Sequence, residues 1–261
     1  MRFELGALTS PMSEIRVIGL PGLPEIREGD DLAALIVSAI RLTNKVEIAE
    51  RDVVVIAQKI VSKAEGRTVG LDSVTPSPRA REWAEAYVKD PRVVEVVLVQ
   101  SRRVVRMERG VIISETAHGY VCANAGVDAS NTPDGTVVLL PTDPDASARR
   151  IRVALERALG VRLAVIVSDT FGRPWREGLV NVALGVAGLA PIVDYRGQLD
   201  SHRRPLRVTM MAVADELASA AELVMGKTSG VPVAIIRGFD YEARSSSGRE
   251  LIRDAELDLF R

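Results

Sequence analysis

Three apolar runs constrain the fold most: VVVIA at residues 53–57, LAVIVS at 163–168 and VPVAIIR at 231–237. They are rich in β-branched residues and do not alternate with polar ones. A strand that is wet on one face alternates, so continuous runs of this length read as strands covered on both faces. Covering both faces of a sheet takes helices, and helical patterns lie between the runs. In DLAALIVSAIRL, Leu32, Leu35, Ile36, Ala39 and Ile40 form one stripe with Asp30 placed as N-cap. PRAREWAEAYV reads as a helix with proline in its first turn. The helix starting near Asp143 is stopped by Gly160, and ADELASAAELVM is stopped by Gly226. Residues 93–99 (VVEVVLV), VVRM, VIIS and TVVLL read as successive short strands, and residues 178–193 as a buried helix or loop. The tail SSSGRELIRDAELDLF reads as a short helix. The order is neither a clean βαβα alternation nor all-β, so the expected class is mixed α/β (α+β). Residues 1–261 are taken as one domain; a division into two lobes would fall near residues 70–90.

Charge and cysteine use narrow the function. Lys and Arg total 34 against 35 Asp and Glu, which argues against a nucleic-acid protein driven by bulk basic charge. One cysteine, Cys122, rules out an internal disulfide and a multi-cysteine metal cluster, and reads as a small buried residue. No signal-like start and no 18-residue apolar span are found, so a soluble protein of the cytoplasm is expected.

The stretch VIVSDTFGRPWREG at 165–178 carries more chemistry than a connector needs. Asp169 is placed at or just past the C-terminal end of a buried strand, where open sheets gather ligand groups. Its carboxylate and the Thr170 hydroxyl are hard oxygen donors suited to Mg²⁺ or Mn²⁺. Arg173 and Arg176 could pair with phosphate or carboxylate. Helix capping and solvated arginines would explain the same residues. In NAGVDASN, Asp128, Ser130 and Asn131 make a second polar cluster, and Asp128 with Asp169 could form a cation clamp; an Asx-turn is the competing explanation. In QKIVSKAEG a helical turn would put Lys59 and Lys63 on one face. GLPEI is a rigid loop, and MGKTSGVP could wrap phosphate oxygens with backbone N–H groups without being a Walker A loop. Asp143 and Asp145 read as caps of a helix start. The two histidines, His118 and His202, form no recognisable catalytic set, and no GxGxxG follows a strand.

Taken in order, GLPEIREGDDL, QKIVSKAEGR, HGYVCANAGVDASN, LLPTDPDASA, SDTFGRPWREG, VADELASAAELVMGK and GVPVAIIRG resemble the coenzyme F420-0:γ-glutamyl ligase family from about residue 22 to 238. The resemblance implies a GTP- and divalent-metal-dependent ligase joining L-glutamate to a carboxylate of a deazaflavin coenzyme, and an intertwined homodimer. It implies Asp128, Asp169 and Thr170 as metal ligands in about two sites, filled by Mg²⁺ or Mn²⁺, with K⁺ as a further ion. Asn131 would contact nucleotide, as would Leu23, Pro24, Glu25 and Ile26 of the GLPEI loop. Gln58, Lys59 and Lys63 would do the same, Lys63 also sharing in catalysis with Asp128 and Asp169. The last nucleotide loop carries Met225, Gly226, Lys227, Thr228, Ser229, Gly230 and Val231. Lys227 departs from the pattern, since some relatives carry Glu or Gln there. Some members fuse a nitroreductase-like flavin domain, which this chain is not expected to have, so no flavin, nucleic-acid or membrane partner is expected.

The chemistry fits these residue types. A carboxylate has no usable leaving group, so an amide needs prior phosphorylation, and the catalyst must then hold two polyanions against cations and lysines. Two other readings use the same features: a metal-dependent hydrolase or phosphotransferase on another substrate, and a nucleotide-sensing module without chemistry.

Overall fold

The computed structural model describes residues 14–43 and 46–258. In chain order the elements begin with β1 (Arg16–Gly19), α1 (Leu32–Thr43), β2 (Val53–Ala57), α2 (Gln58–Ala64) and β3 (Thr68–Gly70). There follow α3 (Pro78–Tyr87), α4 (Pro91–Gln100), β4 (Ser101–Glu108), β5 (Val111–Thr116), β6 (Val121–Ala123) and β7 (Thr136–Val138). The chain continues through α5 (Pro144–Leu159), β8 (Ala164–Arg173), β9 (Arg176–Ala187), β10 (Val193–Asp194), β11 (Met210–Met211), α6 (Val213–Met225) and β12 (Val233–Arg237). This is the mixed α/β class expected from the sequence.

The three apolar runs lie side by side in a five-stranded sheet of order β1-β12-β2-β8-β9. Only β2 and β8 are parallel; the other neighbours are antiparallel. Alternate residues divide between two cores. Val54, Ile56, Val165 and Val167 pack with α1 and α5 on one face. Val53, Val55, Ala164 and Ile166 pack with α6 on the other. Each fully buried Val or Ile contributes about 1.5–3 kcal/mol, which is why neither face tolerates a polar alternation. A third core joins α3 and α4 to the three-stranded sheet β4-β5-β6.

Two long segments differ most from the sequence reading. Residues 93–99 belong to helix α4, not to a strand. Asp90 accepts a hydrogen bond from the Arg92 amide and Pro91 occupies the first turn, so a strong start signal outweighs the weak β preference of valine. Residues 178–187 form most of strand β9, not a helix or loop, while 188–192 are the irregular connection that follows it. The strand's small residues are there for close packing: a Cβ at Gly185 would come within 2.1 Å of the Pro144 carbonyl oxygen. Helix starts need smaller corrections. Asp31, not Asp30, caps α1 by accepting from Ala34 N, while Asp30 accepts from Arg27 N. Asp143 caps α5, but Asp145 is buried and accepts from Val186 N, Gly248 N and the Ser247 hydroxyl, tying α5 to β9 and the tail. Up to residue 258 the tail makes two 3₁₀ turns rather than one helix, and its last residues lie outside the described ones.

Candidate active site

The connector containing Asp169 is a hairpin, not a strand-to-helix loop. β8 continues through Asp169 to Arg173, turns, and returns as β9. The parallel pairing of β2 with β8 stops at Ala57 opposite Ser168, one residue before Asp169, and β8 runs on without β2 into the hairpin. Helix α2 starts directly after Ala57, so Lys59 and Lys63 are delivered to the same sheet end as Asp169. The third contribution is the loop after β6. Asp128 exchanges backbone hydrogen bonds with Val138 (3.0 and 2.8 Å), and Gly126 adopts φ +71°, with Leu140 where a side chain would go.

Two lysines stitch these segments together. Lys59 Nζ lies 2.7 Å from Asp128 Oδ2 and donates to the Ser130 carbonyl and hydroxyl at 2.6 and 2.8 Å. Lys63 Nζ donates to Glu25 Oε1 at 2.5 Å and to the Asn131 carbonyl at 2.9 Å. The GLPEI loop, α2 and the Asp128 loop therefore form one rim. Asp128 also makes the Asx-turn that competed with a ligand role, accepting from Ser130 N at 2.7 Å; the two tasks use different lone pairs and coexist.

The two aspartates differ in proton affinity. Burial would raise Asp128, but hydrogen bonds from Lys59 and Ser130 and the Lys59 charge outweigh it and hold the carboxyl below its usual range. Burial pushes Asp169 up to about 6, with the Thr170 amide opposing, the Asp128 charge adding, and Lys227 and Lys59 opposing. The carboxylates thus sit near enough to feel each other's charge. A divalent cation between them would relieve that repulsion, and the donors are hard oxygens, so the pair fits Mg²⁺ or Mn²⁺. Among the described residues no three His, Cys, Asp or Glu converge, so such an ion would complete its shell with phosphate and water oxygens.

Thr170 faces elsewhere. Neighbours along a strand point to opposite sides of the sheet, and Thr170 pairs directly across the hairpin with Asn181 on the α6 side. Its hydroxyl donates to Asn181 Oδ1 at 2.7 Å and accepts from Lys227 Nζ at 2.6 Å. Asn181 Nδ2 donates to Glu222 Oε2 at 3.0 Å, and Lys227 pairs with Glu222 Oε1 at 3.0 Å. Asn181 and Glu222 were missed in the sequence. The available signal was a lone Asn inside an apolar run, buried here to 3%.

The remaining candidates divide. Gln58 is buried and donates to Ser62 and the Leu139 carbonyl, an internal brace. Leu23 and Ile26 pack on the core while Pro24 and Glu25 are exposed. Met225 is buried in the α6 core, and its carbonyl accepts from the Ser229 hydroxyl. Gly226, Thr228, Gly230 and Val231 form the rest of that loop; Gly226 takes φ +59°. Arg173 donates to the carbonyls of Glu177 and Gly178 and so braces its own hairpin. His118 Nε2 donates to the carbonyls of Pro141 and Thr142. The Cys122 thiol is pushed up to about 12 by burial, with the Asp169 charge adding, so it is no nucleophile. A cavity of about 290 Å³ containing Arg51, Arg152, Arg162 and Arg244 lies at the opposite end of β2 and β8. Those guanidiniums already engage Asp240, Glu156, Glu50 and Glu250, which leaves little charge for a substrate. No helix among the described residues is long and apolar enough to cross a membrane.

The family model for F420-0:Gamma-glutamyl ligase matches residues 22–238, a span that includes every residue of this rim. Curated proteins named Coenzyme F420:L-glutamate ligase are similar over nearly their whole length. The one from Methanothermobacter thermautotrophicus is 50% identical, covering 95% of this chain and 99% of its own. Those from Methanopyrus kandleri and Methanocaldococcus jannaschii are 46% and 42% identical, each over 95% of this chain and covering 98% and 97% of their own. With a match of this extent, the chain belongs to the F420-0:Gamma-glutamyl ligase family.

Proposed function

We propose that the chain is a GTP-dependent ligase that joins the amine of L-glutamate to a carboxylate of coenzyme F420-0. Family membership supports the substrate class. The observation that carries the chemistry is the placing of the Asp128–Lys59 ion pair within electrostatic reach of Asp169, where the pairing of β2 with β8 stops, with Lys63 one turn further along α2. In this reading the coenzyme carboxylate attacks the γ-phosphorus of GTP, GDP leaves, and an acyl phosphate forms. The glutamate nitrogen then attacks the acyl carbon, loses a proton, and expels inorganic phosphate. Asp128 and Asp169 would hold a divalent cation, which would supply charge neutralisation for the phosphate oxygens. Lys59 stands beside that position and offsets further negative charge, while Lys63 fixes the GLPEI loop against the Asn131 backbone. Nothing in this scheme needs a histidine base, because positioning and charge do most of the catalysis.

The test is GDP release by the purified chain with Mg²⁺ or Mn²⁺. Release that requires both glutamate and F420-0 supports the ligase. Release independent of glutamate would instead favour a hydrolase or phosphotransferase, and no release would favour a nucleotide sensor. A homodimer belongs to the same proposal. Exposed Leu199, Val208, Met210 and Met211 on the segment carrying β10 and β11 give it an apolar surface, and light scattering of the purified chain reads its mass.

A further inference from the structure

Three oxygens surround the Lys227 ammonium: Thr170 Oγ1 at 2.6 Å, Glu222 Oε1 at 3.0 Å and Asn181 Oδ1 at 3.5 Å. A lysine has three N–H donors, so this cage satisfies all of them, in the way a small cation is satisfied by oxygen ligands. The cage is built by the fold. Gly226 ends α6 in a positive-φ conformation and turns Lys227 back over Glu222, which lies in the last turn of the same helix. The hairpin register sets Thr170 opposite Asn181. The negative end of α6 also favours a cation at this position. Asp169, next to Thr170 on the strand, alternates to the other face, and the Asp128 charge acts on it there.

We propose that the Lys227 ammonium takes the place of a second divalent cation at Thr170, so that the site binds one such ion, held by Asp128 and Asp169. The inference rests on the metal-dependent reading above and departs from the two ions implied by the sequence resemblance. The Lys227 side chain keeps more than half of its surface open. A phosphate oxygen arriving there would replace its longest bond, the one to Asn181. Glu222 and Asn181 are positioning residues that act through Lys227.

The experiment is a titration of the full chain with Mn²⁺ alone, with free Mn²⁺ read by electron paramagnetic resonance. Wild type is expected to bind one ion per chain. Lys227→Glu, which removes the ammonium and adds a carboxylate beside Glu222, is expected to bind two. Lys227→Met, which removes the charge without adding a ligand, is expected to stay at one. Two ions in wild type would overturn the inference and leave the ligase reading intact, as would a Lys227→Glu variant that still binds one. No ion in any of the three would overturn the inference together with the cation reading beneath it.

Discussion

Replacing Asp169 by asparagine should stabilise the metal-free protein while abolishing its activity. Asp169 titrates near 6 instead of 3.8, chiefly because burial disfavours its charged form. Keeping it ionised at pH 7 therefore costs the folded state roughly 3 kcal/mol relative to the unfolded chain. The direction with pH follows. Between 3.8 and about 6 the unfolded chain releases the proton while the folded one retains it, so stability falls as pH rises through that window and levels off above it. Below the window both states are protonated and the cost vanishes. Asparagine has the same shape and no charge. Solvent reaches part of the Asp169 side chain, so the gain at pH 7 should be about 1–3 kcal/mol, or roughly 3–9 °C in Tm. The assay is urea unfolding of both proteins from pH 4 to 8. The variant should be the more stable above pH 6, and the gap should close toward pH 4. Mn²⁺ should narrow it at pH 7 by binding wild type alone. A variant equal to or less stable than wild type at pH 7, or a gap unchanged by pH, would refute the reasoning.

Other substitutions probe separate parts of the account. Lys59→Met removes the ammonium from Asp128 and Ser130; steady-state kinetics should show kcat/KM lower by about 100-fold or more. Asp145→Ala strands the amides of Val186 and Gly248 and the Ser247 hydroxyl, and chemical denaturation should show a loss of about 3 kcal/mol or more. Gly185→Ala drives a methyl into the Pro144 backbone. It should cost about 3 kcal/mol or more, read as a lower urea midpoint or loss of soluble protein. Cys122, buried and titrating near 12, should resist iodoacetamide at pH 8 until urea unfolds the chain.

The sheet was legible where burial on both faces left a single reading, as in the runs that became β2, β8 and β12. Helix starts were legible from proline in the first turn, as at Pro78 of α3, and from a short polar residue before it, as at Asp143 before Pro144. The same Asp–Pro signal stands before α4, where the run of valines by itself reads as a strand. β9 was hidden because its glycines and alanines answer to packing against α5, which no local pattern reveals. The rim was visible as separate polar loops. Their convergence depends on where the pairing of β2 with β8 stops, a long-range property that no local pattern reveals. The Thr170–Asn181–Glu222–Lys227 cage needed the hairpin turn to be located first, since a shift of one residue would send Thr170 to the other face.

The most direct test of the central claim follows oxygen. Coenzyme F420-0 labelled with ¹⁸O in the accepting carboxylate would be incubated with the chain, GTP, Mn²⁺ and glutamate, and both products weighed by mass spectrometry. The expected result is a coenzyme heavier by one glutamyl unit, with one label retained in the new amide and the other in inorganic phosphate. Label released into water, or GTP consumed with the coenzyme unchanged, would contradict activation of the carboxylate at this site.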